Sequence, residues 1–180
     1  MEQQVNVWKA NLTNGVILGL IGIVYSLVMY FLNLILNNVQ GYIFILIQIV
    51  ILYFLVKSYR DNFMHGMITF GQALGAGVII CLYYSIIIAI FTYILYAFID
   101  TNLIDKMLAM AEEKLLGRGL SQSQIDAGMS VQSKIMKPAF IAPMSIFGNM
   151  FQGLIMSLIV AAFVRKEGNP LIDTPDNNVN

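Results

Sequence analysis

The sequence predicts an all-α integral membrane protein with four transmembrane helices and an extramembrane helical hairpin between the third and fourth. Three observations carry that expectation. Only 11% of the 180 residues are charged, while 58% are hydrophobic; soluble domains carry about 25% charged residues because water must be met by polar surface. The charges are also clustered, so that residues 10–56, 62–99 and 138–164 contain no Asp, Glu, Lys or Arg. A charge at the centre of a bilayer costs about 2.5–3.5 kcal/mol on insertion scales, and hydrocarbon is the selection that leaves such gaps. Finally, the gaps divide at polar or charged breaks into segments of spanning length, about 20 residues for a ~30 Å core.

Taken in order, Met1 to Ala10 is polar and ends in Trp8-Lys9, a pair suited to the headgroup level before a span. The first span covers about residues 12–36. Asn37-Asn38-Val39-Gln40-Gly41 is an uncharged, helix-breaking turn. The second span, about 42–56, is short at roughly 22 Å unless its helix begins back at Asn38. Lys57 to Phe70 forms a charged hinge. The third span, about 71–99, would measure roughly 43 Å as a helix and must tilt or protrude.

Residues 101–137 form the one sizeable water-facing piece. Asn102 as N-cap with Asp105 after it, and Gly117 as stop, delimit a first helix. Its Leu103, Ile104, Met107, Leu108, Ala111 and Leu115 share a face. Ser121-x-x-Gln124 is a capping-box pattern that opens a second helix, with Ile125, Met129 and Met136 on one side. The greasy face of this hairpin packs on the bundle, lies on the membrane surface or docks a partner. Pro138 suits the first turn of the fourth span, 138–164, and Pro143 kinks or delays that turn. Residues 167–180 read as a loose polar tail.

Four spans place both termini on one side. Lys9, Lys57, Arg60, Arg165 and Lys166 then share that side, and the positive-inside rule makes it cytoplasmic, with the hairpin outside. The lone Cys81 forms no intramolecular disulfide and leaves the redox compartment unread. The N-terminus lacks the charge pattern and cleavage site of a secretory signal. No basic stripe supports nucleic-acid binding.

Candidate chemistry is sparse. The span cores hold no ionisable relay of the kind proton-coupled transporters use, and the single histidine, His65, is in a loop. No catalytic, cofactor-binding or metal-binding residue is assigned, and the protein is expected not to be an enzyme. Asp61 and His65 would share a face if helical, but two ligands do not make a metal site, and an interfacial histidine is the ordinary alternative. Met107, Met110, Met129 and Met136 are either a soft site for copper(I) or an adaptable packing surface. Gly15-x-x-x-Gly19 and Gly71-x-x-x-Gly75 open spans one and three and predict that these helices pair, within one chain or between chains. The amides Asn33, Gln48, Gln72, Asn149 and Gln152 either cross-bond helices or line a polar path.

Tyr59-Arg60-Asp61 followed by Ile68-Thr69-Phe70-Gly71-Gln72-Ala73, with Ala97-Phe98-Ile99-Asp100 and Gly119-Leu120-Ser121 further on, resembles a family of bacterial four-span membrane proteins. That family is a domain of unknown function, number forty-one ninety-nine. The resemblance runs from about Asn11 to Lys166 and implies four spans with a helical insert in a bacterial inner membrane. It brings no activity. Arg60, Gly66, Phe70, Gln72 and Ala73 match its motif without an assigned role. The residues together predict a non-enzymatic protein acting in the lipid bilayer through protein or lipid contacts, as an accessory subunit or homo-oligomer. The alternative is a small passive channel or transporter formed by an oligomer.

Overall fold

A computed structural model describes residues 6–167; the 168–180 part of the expected tail lies outside them. Among the described residues six α-helices follow one another: α1 Val7–Phe31, α2 Asn38–Phe63, α3 Phe70–Ile94, α4 Asn102–Leu116, α5 Gln122–Ile135 and α6 Pro138–Val164, with a π-helical turn Leu95–Ile99 ending α3. α1, α2, α3 with its π turn, and α6 are each long and apolar enough to cross a membrane.

Local chemistry sets ends that hydropathy alone misplaces. α1 starts at Val7 because the Asn6 side chain accepts from the backbone N–H groups of Trp8 (3.0 Å) and Lys9 (3.3 Å). It stops at Phe31, and Asn33 reverses the chain with φ +58°, a left-handed conformation that asparagine tolerates better than most residues. Asn37 does not break a helix but starts one, accepting from Val39 N–H at 2.9 Å, so α2 begins at Asn38. α2 also continues through Phe63, which puts Lys57, Arg60 and Asp61 on its last two turns rather than in a hinge. The connection to α3 is therefore only Met64 to Thr69, with φ +52° at His65 and +80° at Gly66. Thr69 and Gln72 form a capping box at the start of α3. Asn102 is the first residue of α4 and Thr101 its N-cap, while Asp100 Oδ1 accepts from Asn102 N–H at 3.1 Å. Ser121 and Gln124 make the expected box at the start of α5. α6 begins at Pro138 and runs through Pro143.

α3 is the central element, contacting α6 most widely and α1 next, while α2 leans on α6 and α1. The α3–α6 seam is a ladder of small side chains. A Cβ on Gly77 would fall 2.9 Å from Ser157 Cβ, and one on Gly153 would fall 2.6 Å from Cys81 Cβ. The helices run antiparallel. Ala73, Gly77, Cys81, Ser85 and Ala89 repeat every fourth residue along the α3 face, and all are buried. Ser145, Asn149, Gly153, Ser157 and Ala161 repeat in the same way on α6. Without a hydrophobic drive between helices in lipid, close backbone approach of this kind supplies the packing energy.

α1 and α3 run parallel. Cβ atoms on Gly15 and Gly19 would fall 2.4 Å from Tyr83 Cβ and 2.8 Å from Ile87 Cδ1. Gly15 and Gly19 thus do bring span one against span three, but Gly71 and Gly75 are not in that contact: neither has any atom within 4 Å of an added Cβ. Register is the reason. Gly15 is eight residues beyond Val7 and Tyr83 thirteen beyond Phe70, so α3 starts about 7 Å earlier along the bundle. Gly75 falls level with Val7, well short of Gly15.

Candidate functional site: a polar cleft above an amide floor

Besides the Asn11–Asn14 pair, which bonds the Val7 and Leu55 carbonyls inside the bundle, two polar regions of different character stand out among the described residues. The first is at the end of the bundle that holds both termini. Here Arg60 Nη1 donates to the Val164 carbonyl at 3.1 Å, and its Nε pairs with Asp61 Oδ1 at 2.7 Å. The guanidinium thereby occupies one of the carbonyls that the C-terminus of α6 leaves without an intrahelical donor. Ile68 and Lys166 exchange two backbone hydrogen bonds, each 2.9 Å, which pins the α2–α3 connection to the exit of α6. Gly66 provides the left-handed turn, Phe70 packs on the core, Gln72 closes the cap and Ala73 is fully buried. The motif positions Arg60, Gly66, Phe70, Gln72 and Ala73 are thus collected in and beside one structural corner.

The second region is the candidate site. Between α1, α2, α3 and α6 lies a cleft of about 340 Å³, lined by Tyr25, Ser26, Gln40, Gly41, Tyr42, Phe44, Ile45, Tyr84, Asn149 and Gln152. Tyr25 on α1 donates its hydroxyl to the Gln40 carbonyl at 2.7 Å and stacks on Phe44, ring centroids 4.6 Å apart. This ties the end of α1 to the start of α2. Below them Gln152 Nε2 donates to Gln48 Oε1 at 3.3 Å, joining α6 to α2, and Gln48 is only 1% exposed. Gln48 is ten residues into α2, so this floor sits about 15 Å from the start of the helix, near half the depth of a ~30 Å core. Beyond the floor the bundle is closed by Leu18, Leu52, Val56, Ile80, Met156 and Val160, all buried in one cluster. Asn149 and the Tyr84 hydroxyl make no side-chain hydrogen bond among the described residues.

The five candidate amides are therefore separated. Asn149 and Gln152 line the cleft with Gln48 bonded to Gln152 behind it, Asn33 is in the α1–α2 turn, and Gln72 caps α3 at the opposite end. Asp61 and His65 do not share a helix face, because α2 ends between them. Met107, Met110 and Met136 line a separate cavity of about 360 Å³ beside Tyr96 and Lys114. Met129 is absent from its lining. Among the described residues no three His, Cys, Asp or Glu side chains gather as metal ligands. The cleft was hidden from sequence reasoning because Tyr25, Tyr84 and Ser26 look like ordinary residues of apolar spans. The one signal that could have found it is the five-position run of small residues on α3, which fixes how α6 docks and so where Asn149 points.

A bundle of four spanning helices around an uncharged internal cleft defines a multi-pass membrane protein. This chain belongs to the family described as Protein of unknown function (DUF4199), whose match covers residues 13–166. No curated protein and no solved structure matches it.

Proposed function

We propose that this is a non-enzymatic protein of a bacterial inner membrane that acts through protein or lipid contacts. The observation that supports the reading is that the intramembrane amides pair locally, around a buried apolar cluster, instead of forming one row. Gln48 and Gln152 bond to each other, and on the terminal side Asn11 and Asn14 bond locally, to each other and to the Val7 and Leu55 carbonyls, beside the buried cluster of Leu18, Leu52, Val56 and Met156. A passive channel needs a continuous polar route. The Gly71-x-x-x-Gly75 edge, where an added Cβ would meet nothing within 4 Å, favours a homo-oligomer or a membrane partner, since small residues there leave room for a second helix.

In this proposal the termini are cytoplasmic. α4 and α5 form the extramembrane hairpin on the outer face, with Leu103 and Ile125 turned into the protein. A reporter fused after Asn180 is expected to be active on the cytoplasmic side only. Purified protein in liposomes is expected to leave potassium and small-solute leakage at the level of empty liposomes. Leakage that rises with protein content would overturn the non-conducting reading.

A further inference from the structure

The cleft holds hydrogen-bonding groups that the fold itself leaves unpaired. The Tyr84 hydroxyl and the Asn149 amide have no partner among the described residues, although Tyr84 is 5% exposed and Asn149 only partly exposed. Neither group is sealed in the core, where Ser157 Oγ is the one buried side-chain polar atom without a partner among the described residues, so both open onto the cleft and are available to a bound molecule. None of the lining side chains carries a charge. An ionised head would therefore lack a counter-charge in a setting where an unpaired charge costs several kcal/mol, about 2.5–3.5 on insertion scales. The stacked Tyr25 and Phe44 rings offer apolar faces beside these polar groups. Tyr42 at the rim is 70% exposed, and Gly41 beside it has open space where a side chain would be, so the cleft reaches the surface along the first turns of α2.

We infer that this cleft binds an uncharged lipid whose polar head carries carbonyl oxygens on an apolar tail. Asn149 and the Tyr84 hydroxyl donate to the carbonyls. The aromatic pair covers the adjoining apolar part, and the Gln48–Gln152 floor stops the head near mid-depth. A quinone and a diacylglycerol share this chemistry. The inference rests on the contact-based reading above and names the ligand class of its central site.

The test uses the full chain in detergent micelles with a photoreactive diacylglycerol carrying a diazirine in one acyl chain. Labelled peptides are mapped by mass spectrometry. Label is expected within residues 40–45 and 147–152, displaced by excess decylubiquinone or dioleoylglycerol but not by phosphatidylglycerol. The better competitor of the two identifies the source of the carbonyl. Gly41→Leu fills the mouth without a clash and Asn149→Leu removes an unbonded donor. Each is expected to cut displaceable labelling at least tenfold while elution profile and thermal midpoint stay within those of the parent protein. If either variant misfolds, the other carries the comparison.

Label spread over all lipid-facing helices without displacement, as a merely hydrated cleft would give, overturns the inference. So does equal displacement by phosphatidylglycerol, or undiminished labelling in both folded variants. Displaceable labelling in leaky liposomes would overturn the non-conducting reading alone; tight liposomes without displaceable labelling would overturn this inference alone.

Discussion

Replacing Gly153 by alanine probes the seam on which the bundle is built. The new Cβ would sit 2.6 Å from Cys81 Cβ and 2.9 Å from its Sγ. Ordinary carbon–carbon contact begins near 3.5 Å, so α3 and α6 must part by close to 1 Å at their centre. Cys81 Cβ is fixed to its backbone and cannot swing aside. Overpacking of this kind costs about 1–3 kcal/mol, and helix propensity returns up to about 1 kcal/mol when glycine becomes alanine. A net loss of about 1–2 kcal/mol is expected, read by reversible unfolding in mixed detergent micelles. Two companions make the result specific. Gly75→Ala, with no neighbour within 4 Å, should leave stability unchanged or slightly raised. Gly153→Ala combined with Cys81→Gly moves the missing side chain from one helix to the other and should recover most of the loss. If Gly153→Ala is as stable as the parent, or if Gly75→Ala is equally destabilising, the seam does not hold the bundle as described.

Other expectations follow from the remaining contacts. Arg60→Met removes the donor to the Val164 carbonyl from a side chain only 16% exposed. A charged hydrogen bond contributes about 1.5–3 kcal/mol, and the loss should appear as a lower thermal midpoint in detergent. Gln48→Leu and Gln152→Leu, measured singly and together, should show a coupling of about 0.5–2 kcal/mol, the range for interhelical bonds in membranes; strict additivity would mean the amides do not bond. Gly15→Leu should prevent monodisperse folding because Tyr83 Cβ already occupies the site. Gly71→Leu should leave the monomer fold intact, and size-exclusion chromatography distinguishes these outcomes.

The gaps between ionisable residues were enough to count the spans, because hydrocarbon excludes charge wherever it falls along a helix. They were poor guides to helix ends. Asn6 and Asn37 are polar residues that begin helices by capping, and Lys57, Arg60 and Asp61 are charged residues that continue one. Gly15 and Gly19 lie on the α1 face that meets Tyr83 and Ile87 of α3, a register that could not be read from the sequence, since nothing local shows that α3 starts earlier. Arg60 was singled out by motif alone. Its partner carbonyl is 104 residues further on, a separation that no pattern of spacing reveals. The cleft was illegible for the same reason: four helices supply its lining, and each contributes residues unremarkable by themselves.

The reciprocal backbone bonds between Ile68 and Lys166 have a mechanical outcome. A pull on the chain beyond residue 167 is delivered to the α2–α3 corner before it can unwind α6. Load on that side of the chain is thereby shared between the α2–α3 connection and α6, an anchorage that the last helix alone would not provide.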